Sequence, residues 1–247
     1  MRQSISYAGP VRIDLNADLG ESWPRWESGE DVALLDVVTS ANVCCGAYAG
    51  DPELMRVTCE AAVARGVAIG AQVGYPDREG FGRVALDLPG PALTAEVLAQ
   101  VRLLDGIARA AGGAVTYLKP HGALYNTIVH DDVQARAVVD ALLQLETRLP
   151  LLGLPGAVSL EIATTRGIPV VLEGFADRAY TPEGRLVPRS EPGAVLDDPV
   201  AVADQAVRLL GRVGSICVHS DSPGALDLAR AVRASLEDAG AELASAT

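Results

Sequence analysis

The sequence predicts an α/β protein built from repeated strand–helix units around a parallel sheet. Two observations carry this. Short runs rich in Val, Ile and Leu alternate along the chain with longer segments of helical period. The polar side chains gather just after the short runs, where parallel α/β folds place their ligands.

The strand runs lie near Val11 to Leu15, Val37 to Val43, Val67 to Ala71, Val115 to Leu118, Leu149 to Leu154, Ile168 to Leu172 and Ser215 to His219. Between them the spacing predicts helices over Asp31 to Asp36, Pro52 to Arg65, Thr94 to Ala111, Asp132 to Glu146, Ala157 to Arg166, Pro199 to Arg212 and Pro223 to Ala239. Asp51-Pro52 and Gly66 bracket one of these helices. Pro suits a first turn, where its missing N–H costs nothing, and Gly suits the left-handed residue after the last turn. No linker or change of composition divides the chain, so residues 1–247 read as one domain. Seven strand–helix units can close as a barrel or lie as an open doubly wound sheet, and periodicity alone does not choose.

Of the 247 residues 49% are hydrophobic and 21% charged, a balance that excludes general disorder. The formal charge of −12 removes any broad attraction for nucleic acid or an anionic membrane. No run approaches the ~20 apolar residues that span a bilayer, and the N-terminal stretch lacks a leader pattern, so the expected compartment is the cytoplasm. Cys44, Cys45, Cys59 and Cys217 show neither a disulfide framework nor zinc-finger spacing and are expected as thiols.

Three pairs or triplets of polar residues alternate at strand ends. Asp14, Asn16 and Asp18 share one face at steps of about 6.5–7 Å, and turned inward they bury acids together. Lys119 and His121 share a face across Pro120, whose ring stiffens the pair. Lys119 is the only lysine among 20 basic residues. A buried ammonium beside an imidazole can polarise a carbonyl and move protons. His219 and Asp221 fit an acid-oriented histidine or a loop cap. Arg83, in a Gly-flanked loop, and Arg178 can each clamp a carboxylate or pair with an acid. His130 reads as decoration of the following helix. A Walker phosphate loop, a dinucleotide fingerprint after the first strand and a GxSxG elbow are absent from the sequence.

Taken in order, the segments Asp14-Leu15-Asn16-Ala17-Asp18-Leu19-Gly20-Glu21, Thr39-Ser40-Ala41-Asn42, Gly50-Asp51-Pro52, Gly74-Tyr75-Pro76-Asp77, Gly80-Phe81-Gly82-Arg83, Lys119-Pro120-His121-Gly122-Ala123-Leu124-Tyr125-Asn126 and Phe175-Ala176-Asp177-Arg178-Ala179-Tyr180 resemble the LamB/YcsF family from about Val11 to Ala239. The resemblance implies a seven-stranded β/α barrel of the glycoside hydrolase/deacetylase type. It also implies ATP-dependent opening of 5-oxoproline to L-glutamate, with ATP as co-substrate of an assembled 5-oxoprolinase that includes partner subunits B and C; a homo-oligomer is compatible with it.

Two segments depart from the family pattern. Where the family usually reads CGFHAGDP, this chain has Tyr48 in place of His, and where it usually reads GAHPGYPD, Gln72-Val73 replaces His-Pro. A smaller change turns HGD into His219-Ser220-Asp221. Related deacetylase-like barrels hold a metal with one Asp and two His, so losing two histidines leads us to expect no metal site.

Within the resemblance, the expected catalytic groups are Lys119 on the carbonyl oxygen or phosphate, Asp14 or Asp18 as base, and His121 as proton carrier. Arg83 or Arg178 is expected to hold the substrate carboxylate. Asn16, Asn42, Tyr48, Gln72, Tyr75, Tyr125, Asn126, His219 and Asp221 are expected to line the substrate. The changed residues leave two alternatives open, a lactamase or amidohydrolase for another compound and a non-catalytic ligand-binding subunit.

Overall fold

A computed structural model describes residues 11–222 and 224–247. Its strands are β1 (Arg12–Leu19), β2 (Ser40–Cys44), β3 (Ala68–Val73), β4 (Val115–Pro120), β5 (Leu151–Gly153), β6 (Val170–Phe175), β7 (Ser215–Cys217) and β8 (Glu242–Leu243). Each of β1 to β7 pairs in parallel with its neighbours, and β7 returns to β1. The sheet therefore closes as a seven-stranded barrel, which settles the choice that periodicity left open. The two-residue β8, not expected from the sequence, adds to the start of β1 through Arg12↔Glu242 and Ile13↔Leu243.

The helices are α1 (Trp23–Glu27), α2 (Glu30–Leu35), α3 (Pro52–Arg65), α4 (Gly90–Ala110), α5 (Gly122–Thr127), α6 (Asp132–Leu143), α7 (Val158–Thr165), α8 (Pro199–Leu209) and α9 (Ala225–Asp238). Local chemistry fixes α3 to the residue. The Asp51 carboxylate accepts from the Glu53 and Leu54 N–H groups at 2.9 and 3.0 Å, and Gly66 ends the helix at φ +67°. The expected start of the last helix, Pro223, lies outside the described residues. The short α1 and α5 escape a period-based reading because each spans less than two turns.

Strand β1 continues to Leu19, four residues past the expected end. Asp14, Asn16 and Asp18 look like a strand running out into a loop, yet every residue from Ile13 to Leu19 is buried. The apolar set Ile13, Leu15, Ala17 and Leu19 joins the main apolar core, and the polar set alternates onto the inner face of the barrel. Polar interior groups from the other strands make that possible. Tyr117 also fills the interior, leaving no room for a side chain at Gly70, where an added Cβ would stand 2.0 Å from the Tyr117 ring. Among the described residues no helix is long and apolar enough to cross a membrane.

Candidate active site

The interior polar groups form one hydrogen-bonded column. Near the start of β1, the Asp14 carboxylate accepts from the hydroxyls of Thr39 (2.6 Å), Ser40 (2.7 Å) and Ser215. One step up, the Asn16 amide donates to Ser215 Oγ at 2.7 Å and to Glu173 Oε1 at 3.0 Å. Asn42 donates to Asn16 Oδ1 (2.7 Å) and to Asp18 Oδ1 (2.8 Å), and accepts from the Tyr117 hydroxyl at 2.7 Å.

Lys119 closes the column at the C-terminal ends of the strands. Its Nζ lies 2.7 Å from Glu173 Oε1, 3.0 Å from Asn16 Oδ1, 3.1 Å from Cys217 Sγ and 3.6 Å from Asp18 Oδ1. It is 3% exposed, so the ammonium is held against its desolvation by these partners. Burial pulls the Lys119 pKa down, but the sulfur of Cys217 and the carboxylates of Glu173 and Asp18 outweigh it and hold the group charged. Burial likewise pushes Asp18 up, and the Lys119 charge holds it well below the usual carboxylate range. Asp18 is thereby held as an anion beside the Lys119 cation at neutral pH.

A cavity of about 430 Å³ opens above this pair, within the roughly 300–1,000 Å³ usual for small-molecule sites. Of the expected residues, Asp18, Gln72, Arg83, Lys119, His121, Tyr125, Asn126, Arg178 and His219 line it. Asp14 does not. Asp14 and Asp18 sit two steps apart on one strand, which leaves Asp14 in the lower barrel away from the cavity, where burial raises its pKa against the lowering effect of its three hydroxyl partners. Asn16 and Asn42 are absent from the lining and hydrogen-bond Lys119 and Asp18. Tyr75 is also displaced from its expected role: its buried hydroxyl bonds Gln134 of α6 and ties the β3 loop to that helix.

His121 stacks on Tyr48, with ring centroids 4.0 Å apart, and its Nε2 lies 3.1 Å from the Phe81 carbonyl. A carbonyl only accepts, so Nε2 carries the proton and Nδ1 keeps its lone pair. Burial lowers the His121 pKa to about 4, leaving a neutral imidazole at pH 7. The loop that presents Phe81 packs tightly on the His121 turn. Ala123 N–H donates to the Gly82 carbonyl at 2.9 Å, and Gly122, at φ +57°, leaves no space for a Cβ against that carbonyl.

The acid that orients His219 is Asp177 and not Asp221. Asp177, fully buried after β6, accepts from the His219 backbone N–H at 3.0 Å and lies 2.9 Å from its Nδ1. Asp221 instead meets Arg83 and Arg189. Arg178 reaches the cavity wall, but its guanidinium donates to the carbonyls of Ala194 (3.1 Å) and Val187 (2.6 Å).

Sequence reasoning missed Glu173, Asp177, Arg189 and Glu21. The signal for the first two was present, since Glu173, Phe175 and Asp177 alternate as Asp14, Asn16 and Asp18 do. Arg189 lies in the long β6–α8 loop, where no period points at a site. Glu21 follows a turn at Gly20 (φ +71°) that breaks the alternation. Burial and the charges of Asp18, Asp221 and Asp31 push the Glu21 carboxyl up to about 8.

Asp18, Glu21 and His121 each bring one ligand-capable atom within 4.8 Å of the others, the one such trio among the described residues. Asp18, however, is already compensated by Lys119 and Asn42. At the two positions where the family pattern has histidines, the Tyr48 hydroxyl donates to Gln72 Oε1 at 2.7 Å.

Residues 13–247 match the sequence model of the LamB/YcsF family. The chain belongs to the LamB/YcsF family. The A subunit of 5-oxoprolinase from Streptomyces avermitilis is 55% identical over 247 residues, covering 94% of this chain and 99% of that protein. The crystal structure of the lactam utilization protein from Thermus thermophilus is similar with a TM-score of 0.87 at 39% identity, over 94% of this chain and 99% of that one. The catalytic domain of a peptidoglycan N-acetylglucosamine deacetylase from Eubacterium rectale shares the fold, with a TM-score of 0.52 at 11% identity over 97% of this chain and 90% of that one. Two departures from the usual LamB/YcsF pattern, Tyr48 and Gln72, are thus bonded to each other, the Gln72 amide oxygen accepting from the buried Tyr48 hydroxyl.

Proposed function

We propose that this chain is the lactam-binding component of an ATP-driven 5-oxoprolinase, which opens 5-oxoproline to L-glutamate together with partner subunits B and C. The observation that carries the reading is the Lys119 ammonium, fixed by Glu173 and Asp18 at the floor of a cavity sized for a small molecule. The names of the relatives support it.

A lactam resists water because amide resonance weakens the carbonyl as an electrophile and the nitrogen leaves poorly. Phosphorylation of the carbonyl oxygen by ATP removes that obstacle, and the phosphoryl step draws on the partner subunits. Lys119 stabilises the negative charge on that oxygen, or on the phosphate it carries, in a site screened from water. Asp18, kept anionic, accepts a hydrogen bond from the lactam N–H or from the attacking water and orients it. His121 takes a proton at Nδ1 as water adds to the carbonyl carbon, and the C–N bond then breaks with that proton passing to the amine, leaving an acyl phosphate that a second water hydrolyses to the carboxylate and inorganic phosphate. His219, set by Asp177 through Nδ1, lines the same cavity.

The second reading, a hydrolase for another lactam or amide, has one observation in its favour: Gln72 Nε2, buried at the cavity, has no hydrogen-bond partner among the described residues. Tyr48 does not narrow the cavity, since it is absent from the lining. The test is glutamate release from 5-oxoproline and ATP by this chain combined with subunits B and C. Lys119→Ala is expected to abolish it, and near-normal turnover by that variant rejects the role given to Lys119.

A further inference from the structure

We propose that Arg83 and Arg189, held side by side by Asp221, form a carboxylate clamp at the rim of the cavity, and that Arg189 sets selectivity for anionic over neutral lactams. The inference rests on the lactam reading above and adds to it the group that recognises the substrate's acid.

Two guanidiniums share one carboxylate. Arg83 Nη2 bonds Asp221 Oδ2, and Arg189 Nη1 lies 3.2 and 3.4 Å from the two Asp221 oxygens. Both arginines line the cavity, and their side chains keep 42% and 29% of their exposure. Two cations against one anion leave a net positive charge, and most of the ten N–H donors of the pair have no partner among the described residues. Asp221 keeps the two guanidiniums together before a ligand arrives. The longer Arg189 contact is the weaker one, so it is the contact that an incoming carboxylate replaces at least cost.

The remaining arginine of the wall cannot serve. Arg178 already donates to two loop carbonyls, and the Arg178↔Val195 and Tyr180↔Leu186 bridges tie down both sides of the β6–α8 loop. Arg178 thereby acts as a positioning residue that hangs Pro188 and Arg189 over the cavity. Lys119 lies on the same cavity but is occupied by Glu173 and Asp18. A ligand with a carboxylate and a lactam carbonyl can place the first at the rim pair and the second toward the floor.

The test compares 5-oxoproline with its neutral carboxamide, using the assembled enzyme and the ratio of their kcat/KM values. Arg189→Ala is expected to lower that ratio roughly tenfold to a hundredfold, the range for losing a charge-assisted hydrogen bond. Asp221→Asn, which frees both guanidiniums, is expected to move the ratio the other way and to lower KM for 5-oxoproline. An unchanged ratio in Arg189→Ala overturns the clamp, and so does an equal loss on both substrates. If the wild-type assembly releases no glutamate at all, the lactam reading fails. Calorimetry of the isolated chain with 5-oxoproline and with the carboxamide then decides the clamp by itself, and equal affinities for acid and amide reject it.

Discussion

Replacing Lys119 by Met removes the charge from the floor of the cavity while keeping much of the side chain's volume. The structure sets the consequence for stability. The ammonium is the only cation within 4 Å of Glu173 Oε1 and Asp18 Oδ1 among the described residues, and Glu173 and Asp18 are 0% and 5% exposed. Removing one partner of a buried ion cluster costs about 3–5 kcal/mol, because the carboxylates that remain are buried without compensation. At roughly 3 kcal/mol per M of urea, the unfolding midpoint followed by circular dichroism falls by about 1–2 M at pH 7. The double variant Lys119→Met/Glu173→Gln removes one of the stranded charges and is expected to regain a good part of that loss while releasing no glutamate. The sign with pH follows from Asp18. Its depressed pKa makes the stability it contributes present above the ordinary value of 3.8 and lost on further acidification, while the stranded carboxylates of the single variant are relieved by protonation, so the gap between wild type and the single variant narrows as pH falls. A single variant with an unchanged midpoint, or a double variant that regains turnover, refutes the reasoning.

Two further outcomes are expected. His121 is buried neutral, with a pKa of about 4 against 6.5 when unfolded, so its contribution is complete above pH 6.5 and is lost as pH falls toward 4. The stability difference between wild type and His121→Asn, read by urea titration at several pH values, should shrink by about 3 kcal/mol over that range, and a flat difference counts against a neutral imidazole. The Tyr48–Gln72 bond predicts coupling: Tyr48→Phe and Gln72→Leu should each destabilise by about 1–3 kcal/mol, and the double variant by clearly less than the sum. Additive losses would show that the hydroxyl and the amide do not depend on each other.

The strand–helix alternation, the helix Pro52–Arg65 and the shared face of Lys119 and His121 at the end of a strand were legible in the sequence. Each is written in a few neighbouring residues: a capping Asp before Pro, a Gly after the last turn, a lone lysine two residues from a histidine. The family motifs pointed to the barrel. Which acid acts on what was not legible. Asp14 and Asp18 look equivalent as text, yet their steps of about 6.5–7 Å along β1 place one among hydroxyls in the lower barrel and the other beside Lys119 at the mouth. The same holds for Asp177 over Asp221 as the partner of His219, and for Arg189 over Arg178 at the rim. Local order along the chain determines which residues form strands and helices and which side chains share a face. Only closure of the barrel, which joins residues more than 150 positions apart such as Asn16 and Glu173, decides which of those side chains meet and which stand at the open end.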